Sequence, residues 1–123
     1  MREREEFIRD FNEAFAKNDL DFILDSMTED IEWNLVGEEI TKGKAAVKEF
    51  MKPMEKVETL EMELDKIING EHMAAAYGRM KIKEPSGEVK SFGFADFYEL
   101  EGKTNPKISK MTSFVVKEKD NRS

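Results

Sequence analysis

Asp96 stands in the stretch SFGFADFYEL, residues 91 to 100, on the same alternating face as Phe92, Phe94, Tyr98 and Leu100. A two-residue period is that of a β-strand, so this carboxyl group shares a surface with aromatic rings and a leucine. A lone carboxylate in apolar surroundings is costly unless it is paired, hydrogen-bonded or protonated. An acid so placed has a raised pKa and can exchange a proton with a ligand carbonyl or hydroxyl, which makes Asp96 the candidate catalytic residue. The competing reading is a structural acid bonded to Asn34, Tyr98 or Ser113.

The neighbours that could hold a ligand against Asp96 follow from the same periodicities. Phe94 and Tyr98 share its face, and Tyr98 can also donate a hydrogen bond. Met80 falls on the inner side of an alternating MKIK, and Met111 and Ser113 on the inner side of the last strand. Phe50 and Met54 come from a helix. Trp33 and Asn34 are adjacent on one strand and point to opposite faces, so only one of the two can line a cavity. Trp33 reads as core or pocket wall, Asn34 as a polar contact for ligand or for Asp96.

Other chemistries find no support. The single histidine, His72, follows a turn and is expected at the pocket rim; without a second histidine or any cysteine no transition-metal site is expected. No phosphate loop, serine elbow or paired-carboxylate helix occurs, so no cofactor is expected. A net charge of -7 argues against nucleic acid or an anionic membrane as partner. The start MREREEFIRDF has no apolar core, and no apolar run reaches membrane-spanning length, so a cytoplasmic location is expected.

The elements that must position these residues read as helices first and strands after. Phe7, Ile8, Phe11, Ala14 and Phe15 recur at helical spacing from Arg2 to Lys17. Asn18 ends that helix and Asp19 caps a second, from Leu20 to about Met27, with Ile23, Leu24 and Met27 inward. TED then breaks to a short strand, Ile31 to Val36. Gly43 opens a third helix carrying Val47, Phe50, Met51 and Met54, and Pro53 ends or kinks it. Strands follow: Leu60 to Ile68, a two-residue turn at Asn69-Gly70, Met73 to Lys83, residues 88 to 101, and Lys107 to Lys117.

This order predicts an α+β domain over residues 1–118, with three N-terminal helices packed in the concave face of a curved antiparallel sheet. A cone-shaped barrel with one pocket at its open end results, and 119–123 is a frayed polar tail. Methionines 27, 51, 54, 62, 80 and 111 suit either an adaptable lining or ordinary core.

FNEAFAKNDLDFILDSMTEDIEWNLVG, then ITKGKAAVKEF, then FADFYEL and ISKMTSFV give the chain a likeness over nearly its whole length to a known family. It resembles the SnoaL-like branch of the ketosteroid-isomerase and nuclear-transport-factor superfamily. That resemblance implies a small apolar or carbonyl-bearing ligand and a cofactor-independent isomerase, cyclase or lyase, or else a binding module or scaffold. It puts Asp96 where ketosteroid isomerases place a protonated oxyanion-hole acid. Their tyrosine would fall at Phe11 and their base near Asn34 or Leu35, none of which can act so. The epoxide-hydrolase branch implies an Asp-Arg-Asp arrangement, for which Arg79 is available but the second carboxylate is Lys81. The polyketide-cyclase branch needs one acid in an apolar cavity, as Asp96 would provide. The opposite face, with Ala95, Phe97, Thr112, Phe114 and Val116, is implied to pack against a second copy in a homodimer.

Overall fold

The structure, a computed structural model, describes residues 2–102 and 105–118, with side chains from residue 4 onward. Helix α1 (Arg2–Lys17) buries Ile8, Phe11 and Ala14, the stripe that its three- and four-residue spacing dictates. Asn18 closes it at φ 58°, a left-handed conformation that asparagine tolerates. The Asp19 carboxylate then accepts from the Phe22 N–H at 3.3 Å and caps α2 (Leu20–Asp25). Helix α3 (Lys44–Met51) starts after Gly43, at φ 90°, and Pro53 converts its continuation into a 3-10 turn, Lys52–Lys56.

Six strands follow the order β2-β1-β6-β5-β4-β3 in one curved, unclosed sheet. They are β1 (Met27–Leu35), β2 (Thr41–Lys42), β3 (Glu58–Asn69), β4 (Met73–Lys83), β5 (Val89–Glu101) and β6 (Lys107–Lys117). From β3 to β6 the sheet is an antiparallel meander, and bulges in β3 between Thr59 and Glu61 and between Leu64 and Lys66 add bend.

Three expectations need correction. The sheet is mixed: β1 runs parallel to β6, placing Trp33 beside Met111 and Leu35 beside Ser113. Hairpin-linked strands must be antiparallel, but β1 and β6 are distant in sequence and escape that constraint. Second, β1 begins at Met27, so the second helix ends early and TED lies within the strand. Ser26 closes α2 through Oγ to the Phe22 carbonyl at 2.8 Å, and Glu29 and Asp30 are polar because they face outward. Third, Asn69-Gly70 does not form the two-residue turn, which needs positive φ at both residues. Instead Gly70 N–H donates to the Met73 carbonyl at 2.7 Å. Arg4 of α1 donates to the carbonyls of Gly70 and Glu71 at 2.9 and 2.6 Å, tying the turn to the helix. The expected tail, 119–123, lies outside the described residues.

The helices fill one end of the concave face. Ile8, Phe11, Ile23 and Met27 close over Tyr98, Leu100 and Ile108 there. On β4 the inward residues are Ala74, Ala76 and Gly78, all buried. At Gly78 the β3 backbone comes so close that a Cβ would run into the Glu63 carbonyl oxygen. The other end of the face is left open.

Candidate functional site

That open end is a cavity of about 340 Å³. Its sheet wall comes from alternate residues of neighbouring strands: Met80 and Ile82 on β4, Phe92, Phe94 and Asp96 on β5, Met111, Ser113 and Val115 on β6. The opposite wall is Phe15 from α1 with Phe50, Pro53 and Met54 from α3 and its 3-10 extension. Trp33 stacks edge-on between Phe15 and Phe50, with centroids 5.8 and 5.2 Å away.

Asp96 lies where cavity gives way to core. Phe92 and Phe94, on one side of it along β5, line the cavity; Tyr98, on the other side, is fully buried. Its register partners are Ala76 and Ser113, one too small to cover it and the other a hydroxyl. The surface that Asp96 keeps faces this cavity rather than the protein exterior. Burial pushes its carboxyl up from 3.8 to about 6, against hydrogen bonds first to Ser113 and then to Tyr98 that pull it down. At neutral pH it is mostly a carboxylate.

The directions of those hydrogen bonds are fixed by what lies behind them. Asn12, buried on the inner stripe of α1, donates from Nδ2 to the Ile8 carbonyl at 2.8 Å and to the Tyr98 hydroxyl at 3.0 Å. A carbonyl can only accept, so the amide must face it with its nitrogen. The phenol, accepting from Asn12, passes its own proton to Asp96 Oδ2 at 3.4 Å. Burial and then the Asp96 charge hold the Tyr98 phenol well above its usual range, so it remains a donor. On the other side Trp33 Nε1 donates to Ser113 Oγ at 2.9 Å, leaving the serine proton for Asp96. Two relays, one from each side, end on the same carboxylate.

Of the residues predicted from sequence, Trp33, Phe50, Met54, Met80, Phe94, Asp96, Met111 and Ser113 all line the cavity. Two do not. Asn34 faces away, because Trp33 and Leu35 take the inner positions of β1; Asn34 pairs with Thr112. Tyr98 is sealed beneath Asp96 and touches the cavity only through it. His72 is not at the rim: its carbonyl accepts from Leu100 N–H at 3.0 Å, at the closed end. Arg79 points outward to Glu118 at 3.8 Å, so no arginine-bridged carboxylate pair forms. Asn12 was missed, although its place among Ile8, Phe11 and Phe15 marks a polar residue on an apolar stripe.

A wide depression lined by Asp19, Asp21, Phe22 and Lys44 lies on the outer surface away from Asp96. Among the described residues no His, Asp and Glu side chains gather in a metal-binding group, and no helix is long and apolar enough to cross a membrane.

Known structures share this architecture. An NTF2-like protein of unknown function from Cytophaga hutchinsonii is 25% identical, with a TM-score of 0.69 over 91% of this chain and 98% of that one. SalBIII, an epoxide hydrolase/cyclase-like enzyme with a role in pyran ring formation in polyether salinomycin, is 20% identical with a TM-score of 0.77, covering 93% and 91%. An LEH-like epoxide hydrolase of M. tuberculosis is 14% identical with a TM-score of 0.74, covering 89% and 80%. No curated protein matches the sequence significantly. The SnoaL-like domain family matches residues 8–110, and the chain belongs to that family.

Proposed function

We propose that this protein is a cofactor-independent enzyme of isomerase, cyclase or lyase type, with the Asp96 carboxylate as general base toward a small apolar molecule in the cavity. One observation carries the reading: a desolvated carboxylate, the one ionisable side chain lining the cavity among the described residues, receives two side-chain donors with fixed direction. A base works best with a pKa near the working pH, and burial moves Asp96 that way. The cavity volume suits a small ligand. Substrates are screened with wild type and Asp96→Asn at matched concentration. Loss of turnover by about 10²–10⁴-fold is expected, the usual contribution of a positioned base. Unchanged turnover removes Asp96 from catalysis.

The absence of a second ionisable group from the lining, among the described residues, favours one other reading, a module that binds a small molecule and leaves it unaltered. Recovery of the same ligand intact after incubation supports it. In either case we place the protein in the cytoplasm as a homodimer paired through the convex face. Phe97 and Phe114 stand there edge to face at 6.1 Å, 42% and 44% exposed, with Val116 at 66%. Sedimentation of wild type and Phe114→Glu tests the pairing; a wild type that stays monomeric at high concentration overturns it.

A further inference from the structure

The polar groups around Asp96 are not balanced between donors and acceptors. The Trp33 N–H is taken by Ser113 and the serine proton by Asp96; the Tyr98 proton goes to Asp96; both Asn12 protons go to Ile8 and Tyr98. The backbone N–H groups of β5 are engaged in ladders with β4 and β6 on both sides. What remains facing the cavity at its floor are acceptors: the unoccupied lone pairs of the Asp96 carboxylate, which can accept up to about four hydrogen bonds, and the Oδ1 of Asn12, which also lines the cavity.

Uncommitted side-chain donors lie elsewhere. Thr59 pairs with Ile82, which pairs with Lys90, six positions along β5 from Asp96 and roughly 20 Å away at strand spacing. Asn18 keeps one amide proton after donating to the Val57 carbonyl at 3.1 Å, but it sits six residues, about 9 Å, along α1 from Asn12. With Asp96 ionised, a ligand oxygen brought to the floor would meet only acceptors. An anionic ligand would add a second negative charge beside a carboxylate that already lacks a counter-ion.

We infer that the ligand is itself the donor: an apolar molecule docked by an O–H or N–H group given to Asp96, not by a carbonyl oxygen or an anionic group. This rests on taking the Asp96 cavity as the functional site, and it names the class of molecule that site accepts. While Asp96 is a carboxylate, no donor is left at the floor to hold a substrate oxyanion.

Four probes of nearly equal shape test it: menthol, menthone, menthyl methyl ether and menthanecarboxylate. Binding is read by calorimetry and by the fluorescence of Trp33, the one tryptophan, which lines the cavity. Menthol is expected to bind at least about tenfold more tightly than the ketone or ether, the order of a hydrogen bond to a charged acceptor. The carboxylate is expected to bind least. Asp96→Asn supplies an amide N–H and should bring the menthol-to-menthone ratio toward unity. Ser113→Ala frees the indole N–H and should raise menthone affinity alone. Menthone binding as well as menthol in wild type overturns the inference, as does failure of all four to bind. If the menthol preference holds while Asp96→Asn leaves turnover of a found substrate unchanged, the catalytic reading fails and the ligand class stands.

Discussion

Tyr98 and Asp96, two residues apart on one strand, are bonded side chain to side chain, with the phenol donating to Oδ2 at 3.4 Å. One of the pair is fully buried and the other opens into the cavity. Asp96 therefore heads a polar column that passes through the buried Tyr98 to Asn12, itself part of the cavity lining, and stops at the Ile8 carbonyl of α1. The register of that helix helps to set the state of the carboxylate.

Tyr98→Phe cuts the column at its middle. Asp96 loses a donor that stabilises its charged form, so its pKa should rise beyond about 6. Asn12 Nδ2 is left with one buried proton unpaired, which costs about 1–3 kcal/mol. Carboxyl NMR titration reads the first effect and urea unfolding the second; an unmoved titration would show that the phenol does not contact the carboxylate in solution.

Ser113→Ala acts from the other side. Its hydrogen bond lowers the Asp96 pKa more than that of Tyr98, so the upward shift should be the larger of the two. The Trp33 N–H loses its acceptor at the same time, and the tryptophan emission maximum should move. An Asp96 shift smaller than that of Tyr98→Phe would reverse the order of the two donors.

The raised pKa of Asp96 also makes a stability prediction with a definite sign. Between the unfolded value of 3.8 and about 6 the folded state holds more protons than the unfolded state, so this group's contribution falls as pH rises through that window. The full effect at neutral pH is about 3 kcal/mol in the unfolding free energy. Asp96→Asn carries no charge to desolvate and should be more stable than wild type at pH 7 but not at pH 4. Parallel urea midpoints for the two proteins across that range would refute the shift.

Gly78→Ala tests the sheet under the site. The new methyl would meet the Glu63 carbonyl oxygen, with Leu64 Cα at 3.0 Å, and backbone atoms cannot turn aside as a flexible side chain can. A loss of about 3 kcal/mol or more is expected, at the upper end for overpacking. Thermal unfolding close to that of wild type would show that β3 and β4 can separate locally.

How much of this was legible beforehand depended on which geometrical quantity each residue turned on. Alternation alone placed Asp96 with Phe92, Phe94 and Tyr98, because a strand's period is set by its backbone. It could not say that Tyr98 is sealed while Phe94 is open, since depth along the face depends on where the helices end. The parity of Trp33 and Asn34 was readable, but which of them points inward depended on the parallel pairing with β6, made between strands with no short connection. Asn12 stood on a readable stripe; what it does there required knowing that Tyr98 comes opposite it, 86 positions away. The Asn69-Gly70 turn followed a sound local rule that was overridden by Arg4 from another element.

The hydrogen bond from Trp33 to Ser113 joins residues 80 positions apart, across the parallel seam where the last strand fits between the first and its neighbour β5. During synthesis, then, β1 emerges long before its partner exists, and its inward residues Ile31 and Trp33 must wait for the C-terminal strand. Pairing of such distant segments is slow because a long loop must close first. The side of the cavity that β6 supplies is thus expected to form late in folding, and a chain cut before Lys107 would lack Met111, Ser113 and Val115 and with them the strand beside Asp96.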